Sequence, residues 1–309
     1  MVYPVTSLCG LLGKSKQAYY KHVDNLMSRL AEEAFCVEYI REIRGKDPGI
    51  GGGKLWEMYN KKFGKDHGVG YNHFYDIVEK YNLKVRKKKR RARTTNSDHA
   101  YPTYPDLTRR LIPESSNQLW VSDITYIPFW TVPEKGLYDF CYLSLVTDCY
   151  SKEIVGYSVG ATLETLYPME ALEMALRRIK DVKVLKDSLI HHSDRGVQYA
   201  SYEYTGRLKS LGIKISMTET GDPKDNAVAE RVNNTIKNEL LKDMEFFSIH
   251  GVKAAVEAAI DFYNNERPHM SLDGMTPTEA GKQVGEIKKK MDQLPRESHQ
   301  RGCNLGKYH

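Results

Sequence analysis

Three carboxylates in three different local settings constrain this chain more than any other feature. Asp123 lies within 118–129, a stretch that alternates apolar and polar residues around Trp120, Ile124, Tyr126 and Pro128, so it reads as mid-strand. Asp194 stands just past a short apolar strand expected over 186–191. Glu230 sits about two turns into a helix expected to begin at Asp222-Pro223 and to run to about 246. Between Asp194 and Glu230 there are 35 residues. A strand centre, a strand end and a facing helix can converge on one point.

Three converging carboxylates repel one another and cannot all stay ionised without a cation. Hard oxygen donors suit Mg²⁺ or Mn²⁺. Two such ions, roughly 3.5–4 Å apart, would activate an attacking hydroxyl and stabilise the leaving oxygen of a phosphodiester. Lys237 follows Glu230 by seven residues, two turns or about 10.5 Å along the same helix face, where it could neutralise a DNA phosphate.

Several motifs occur in one order: Trp120-Val-Ser-Asp-Ile-Thr-Tyr126, His192-Ser-Asp-Arg-Gly-Val-Gln-Tyr199, Asp225-Asn-Ala-Val-Ala-Glu-Arg231, Lys237, Tyr263-Asn264, Arg267-Pro268-His269 and Thr276-Pro277. Together with the 35-residue gap they resemble the transposases of the IS-three family of bacterial insertion sequences, in the downstream-frame (OrfB) position. That family belongs to the D,D(35)E, retroviral-integrase-like superfamily. The resemblance spans roughly 118–280, with a weaker match over about 30–90. It implies an α/β fold: an RNase H-like integrase catalytic core, with a mixed five-stranded sheet and helices, preceded by a small all-α helix-turn-helix-like domain. It implies Asp123, Asp194 and Glu230 as catalytic and metal-binding residues, with Asp123 bridging two ions. It also implies DNA partners (element terminal inverted repeats and target DNA), a homo-oligomer on DNA, a copy-out route and an upstream-frame partner or fusion.

The charge distribution fits a DNA partner. Net charge is +6, and the run KVRKKKRRAR holds eight basic residues: Lys84, Arg86, Lys87, Lys88, Lys89, Arg90, Arg91 and Arg93. Removing those eight from +6 leaves −2, so the basic character is concentrated in one arm. Such an arm contacts phosphates without reading sequence. The five cysteines (9, 36, 141, 149 and 303) form no Cys-x-x-Cys pair, which argues against a disulfide framework and against structural zinc. No run of about 18 apolar residues exists, so no membrane span is expected. The expected location is the bacterial cytoplasm, associated with the nucleoid.

In chain order, Leu8, Leu11 and Leu12 with the breaker Gly13 and the cap Ser15 suggest a helical hairpin over 5–21, part of a helix-turn-helix or a packing hairpin. A second helix is expected over 27–44. The glycine run before Lys54 is not a phosphate loop, because Pro48 and Leu55 stand where Gly and Ser or Thr are needed. Helices follow at about 53–62 and from Asn72, expected as an N-cap. There Phe74, Ile77, Val78 and Tyr81 form a core stripe, and 72–81 is either a recognition helix or a packing one. The expected domains are a hairpin over 1–26, a helix-turn-helix-like domain over 27–83, a basic linker over 84–114, the catalytic core over 115–282, and a helix and tail over 283–309. Within the core, strands are expected at 118–129, 137–147, 153–160, 186–191 and 213–217, and helices at 166–180, 200–211, 222–246, 251–265 and 278–293.

Other acids compete for the third position. Asp148 reads as a turn cap, and Glu219 breaks the 35-residue spacing. Asn226, four residues before Glu230, either orients the carboxylate or contacts phosphate, and Arg195 either contacts DNA or forms a salt bridge. Asn233 and Asn234 are secondary candidates. Tyr263 to His269 is either part of the chemistry or a helix end turning at Pro268. Two rival readings are a plain RNase H-like nuclease and a non-catalytic DNA-binding protein from an inactive element.

Overall fold

The computed structural model describes residues 4–85, 100–109, 111–181, 185, 188–219 and 226–287. Four helices come first: α1 (Val5–Leu11), α2 (Lys16–Lys46), α3 (Gly52–His67) and α4 (Tyr71–Lys80). α1, the turn at Gly13 (φ +62°) and the Ser15 cap fall where the hairpin over 5–21 is expected, but the break expected before a separate helix over 27–44 is absent and α2 runs on unbroken. No Gly or Pro interrupts residues 16–44, and the Ser15 hydroxyl accepts from Ala18 N–H at 3.0 Å to start the helix. The lapse in apolar periodicity near 22–26 reflects exposure, since burial on α2 begins only at Glu33. Leu8, Leu11 and Leu12 are exposed and pack no hairpin. α4 is preceded by Gly70 at the cap position, one residue before its expected start, and it buries Phe74, Ile77 and Val78 as its stripe requires.

The sheet runs β3-β2-β1-β4-β5. β1 (Leu119–Val132), β2 (Leu137–Asp148) and β3 (Ile154–Gly160) form an antiparallel meander, and β4 (Ile190–Ser193) and β5 (Lys214–Met217) lie parallel on the other side of β1. With α5 (Leu166–Arg177), α6 (Val197–Ala200), α7 (Tyr202–Ser210), α8 (Ala227–Thr235) and α9 (Ile249–Asn265), this is the RNase H-like arrangement. β4 begins later than expected, yet Asp194 still follows its last residue. α8 ends at Thr235 and passes into a π-helical turn, Ile236–Leu240, instead of running on as α-helix to about 246. Of the last expected helix, 278–293, residues 288–293 lie outside the described residues; before them stands a single turn, α10 (Pro277–Ala280), opened by a Thr276–Glu279 capping box and followed by Gly281 and by Gly285 at φ +94°.

The sheet has two covered faces. Trp120 and Val146 pack with Leu172, Leu176, Tyr204 and Leu208 of α5 and α7. The opposite core joins Ile127, Cys141, Leu143 and Leu145 to Val232, Val252 and Val256, and it continues without a break into Ile40, Ile43, Leu55, Tyr59 and Phe74 of the N-terminal helices. Helical part and sheet therefore share one hydrophobic core, and the boundary drawn at 26/27 falls inside α2. Gly49 shows how close the docking is. Its N–H donates to Glu239 O at 2.9 Å, and a Cβ there would lie 2.5 Å from Glu239 Cα.

Candidate active site

β1 and β4 pair in parallel through Ser122 opposite Ser193. The next residue on each strand is an acid, so the topology sets Asp123 beside Asp194. Both carboxylates, after burial itself and Tyr204, hold the Tyr199 phenol far above its usual range, which places them around one buried ring. Asp123 is 5% exposed. One of its oxygens, Oδ2, accepts from Asn233 Nδ2 at 2.8 Å. Asp194 folds back so that Oδ1 accepts from the Gly196 N–H at 2.9 Å. A Cβ on residue 196 would lie 2.9 Å from that same oxygen. Gly196 is thus needed for space; its φ of −62° is open to any residue.

Helix α8 covers the two acids. The side chain of Asn226, at its N-cap, donates from Nδ2 to Ser122 O at 3.0 Å, and Asn233 bonds Asp123. Residues 226, 230 and 233 are spaced i, i+4, i+7, one stripe of an α-helix. Since the first and last members of the stripe both touch β1, Glu230 lies on the face turned toward it, half-buried. The amide oxygens Oδ1 of Asn226 and Asn233 are buried and accept no hydrogen bond. The donors around Asp123 are therefore hard oxygens, the type Mg²⁺ or Mn²⁺ takes. Among the described residues, however, no three His, Cys, Asp or Glu side chains are gathered closely enough to hold an ion.

Lys237, in the π-helical turn Ile236–Leu240, also reaches β1: its ammonium lies over the Tyr126 ring, 4.2 Å from the centroid. Burial lowers its pKa. Sequence reasoning missed Tyr126 as its partner, and Tyr199 as a buried ring that both acids influence; a tyrosine one turn into the short helix after Asp194 was the available signal. Arg195 is half-buried beside Asp194. Of the basic arm, Lys84 is exposed and pairs with Glu79 at 2.6 Å. Arg86, Lys87, Lys88, Lys89, Arg90, Arg91 and Arg93 lie outside the described residues, as do Asp222, Pro223 and Asp225.

The competing acids have other roles. Asp148 caps a turn, with its oxygens accepting from the backbone of Asn117, Tyr150 and Ser151. Glu219 pairs with Arg109 at 2.5 Å. The Arg267-Pro268-His269 segment is architectural. Arg267, 3% exposed, donates to Glu239 from Nε at 2.9 Å and Nη2 at 2.8 Å, and the neutral His269 Nε2 lies 3.1 Å from its Nη1. Asn264 bonds both the N–H and the carbonyl of Ile154. Two histidines beside the site are buried and packed into the sheet: His191 meets Ser122 and Tyr204, and His192 meets Ser216.

Two family descriptions, both "Integrase core domain", match residues 113–223 and 211–277. A Mycobacterium tuberculosis protein described as "Putative transposase for insertion sequence element IS986/IS6110" is 33% identical over 267 residues, covering 84% of this chain and 92% of that protein. "Insertion element IS600 uncharacterized 31 kDa protein" of Shigella sonnei is 34% identical over 277 residues, covering 87% and 96%. Among solved structures, the catalytic core domain of HTLV-2 integrase, in complex with magnesium, matches 55% of this chain and 99% of its own at 20% identity and a TM-score of 0.42.

Proposed function

Because the chain belongs to the IS-three family of insertion-sequence transposases, polynucleotidyl transferases with an integrase core, we propose that it cuts DNA at the ends of its own element and joins the freed ends to a second phosphodiester. The observation that carries this reading is that Asp123, within β1, and Asp194, just past the end of β4, directly follow the paired Ser122 and Ser193 beneath the Asn226–Glu230–Asn233 stripe.

In the first step water attacks a phosphodiester, and the bond to the 3′ oxygen breaks to leave a free 3′-OH. In the second, that hydroxyl attacks another phosphodiester, loses its proton and displaces a second 3′ oxygen. No bond to the protein forms in either step. Asp123, Asp194 and Glu230 would hold two Mg²⁺ or Mn²⁺ ions, which supply a more acidic attacking hydroxyl and charge stabilisation at the leaving oxygen. Asn233 keeps one Asp123 oxygen, Oδ2, fixed through its amide. Gly196 does the same for Asp194 through its N–H. Tyr199 excludes water beneath both. Lys237 neutralises a phosphate of the bound strand, and Arg195 and Asn226 flank it.

The four N-terminal helices and the basic arm from Lys84 to Arg93 would contact the terminal inverted repeats, with the arm giving a strongly salt-dependent share of the affinity. Holding two ends calls for more than one copy of the chain, alone or fused to an upstream frame. Among the described residues no helix is long and apolar enough to cross a membrane.

A joining assay on DNA carrying the element's own ends, in Mn²⁺, tests the reading with wild type beside Glu230→Gln. Joined products from wild type alone are expected, with DNA binding retained by both. Products from both proteins would remove Glu230 from the chemistry.

A further inference from the structure

β1 and β2 extend beyond the rest of the sheet. β4 pairs with β1 only through Ser122, and β3 pairs with β2 only from Tyr142 onward. What projects is a two-stranded ribbon with two unlike faces. Register sets Tyr126 opposite Tyr142, Pro128 opposite Phe140 and Trp130 opposite Tyr138. Side chains alternate across a strand, so these six ring residues share one face. The intervening Ile127, Phe129 and Cys141 turn to the hydrophobic core.

The ring face is open. Tyr138 is 57% exposed and Tyr126 37%. The rings form an edge-to-face chain, with Tyr126–Phe140 centroids at 5.3 Å, Phe140–Tyr138 at 5.4 Å and Tyr138–Trp130 at 6.0 Å. At the end nearest the acids, the Lys237 ammonium rests on Tyr126. Tyr126 is on the face of β1 opposite Asp123, and Lys237 reaches it around the edge of β1 that β4 leaves unpaired beyond Ser122, three residues or about 10 Å along the strand from the acid. That is the length of about three stacked nucleotides at 3.4 Å each.

We propose that this ribbon face is a stacking platform for unpaired bases of the bound DNA, reached around the edge of β1 left open beyond Ser122, with Lys237 meeting the strand's phosphate at its near end. The proposal rests on DNA being the substrate and adds where, and in what form, a strand is held. Two features select nucleic acid as the occupant. Aromatic rings take bases on their faces without regard to sequence, but only when the bases are unpaired. An apolar protein partner would have to bury the Lys237 ammonium, whereas a nucleic acid brings its own anion to it.

The test compares two probes on the full chain by fluorescence anisotropy: a blunt duplex carrying the element end, and the same duplex with a single-stranded tail of about ten thymidines, within the span such platforms cover. Wild type is expected to bind the tailed duplex at least about fivefold more tightly, the effect of one stacked base. Tyr138→Ala should erase that difference while leaving the blunt duplex unaffected, and Tyr138→Trp should keep it. Equal affinity of wild type for both probes, or an unchanged preference in Tyr138→Ala, overturns the platform alone. Equal weakening of both probes in Tyr138→Ala, with a fall in oligomer size by sedimentation, would make the face a contact between copies and also overturn it. Binding of neither probe by any protein would overturn the functional reading as well.

Discussion

The segment from Asn226 to Leu240 ends in two buried polar clusters of opposite character. At its start, Asp123 and Asp194 stand side by side, with Glu230 on the facing stripe and two amide oxygens left without donors. At its finish, Glu239 meets Arg267 at 2.8 Å and Lys54 at 3.3 Å, with Asp47 3.6 Å from Arg267. Two acids there face two cations, so the second cluster sums to zero, whereas the first gathers carboxylates. A balanced buried cluster holds a structure together, and an unbalanced one is poised to receive something. Here the balanced one fastens the N-terminal helices to the π turn that follows Glu230's helix.

The sharpest way to break this comparison is to unbalance the balanced side. Arg267→Met should leave Glu239 buried beside Asp47 with only Lys54 to offset them. Removing one partner of such a pair costs about 3–5 kcal/mol. Urea unfolding should show a loss of unfolding free energy of that size, read as the midpoint shift multiplied by the m-value. Stability equal to wild type would mean that the cluster is not what holds the two parts together.

The acid side should behave in the opposite way. Asp123→Asn removes a charge from a site with too many of one sign and keeps the shape. Cutting and joining should fall at least about 10²–10³-fold, as when one charge-stabilising group is lost. Thermal stability should stay level or rise. Equal losses of activity and stability would show that Asp123 is structural.

The two clusters were unequally legible in the sequence. Acids at fixed spacing in strand, strand end and helix are local signals, and the parallel pairing of β1 with β4 sets Asp123 beside Asp194. Asp47 and Glu239 are 192 positions apart and carry no shared pattern; only the docking of Gly49 against the π turn brings them together. The π turn was equally hidden, because Ile236-Lys-Asn-Glu-Leu240 has ordinary helical composition. Hence Lys237 could be placed on the helix of Glu230, but not against the Tyr126 ring. The continuity of α2 was misread for a related reason: periodicity reports burial, and the first half of that helix has none to report.

The balanced cluster still has one weak member, and pH exposes it. Burial, then the neighbouring Glu239 carboxylate, raises Asp47 from 3.8 to about 7, although Arg267 and Lys54 pull the other way. An acid whose folded pKa is raised costs stability progressively as pH climbs from its unfolded value to its folded one, because only the unfolded chain ionises freely in that interval. Below about pH 4 there is no cost, and above about pH 7 it is constant. Glu239 contributes in the reverse sense. Although burial opposes ionisation, Arg267 and Lys54 hold its carboxyl below the usual range, so its contribution is present above the unfolded pKa of 4.5 and is lost as pH falls through the lower folded value. The two effects separate by substitution. Asp47→Asn removes the first and keeps the second, so its gain over wild type should be near zero at pH 4, grow to about 4 kcal/mol by about pH 7, and stay flat to pH 9. Denaturant melts at those three values measure it directly. A gain independent of pH would mean that Asp47 is ionised throughout and that Arg267 serves both carboxylates as a full ion pair.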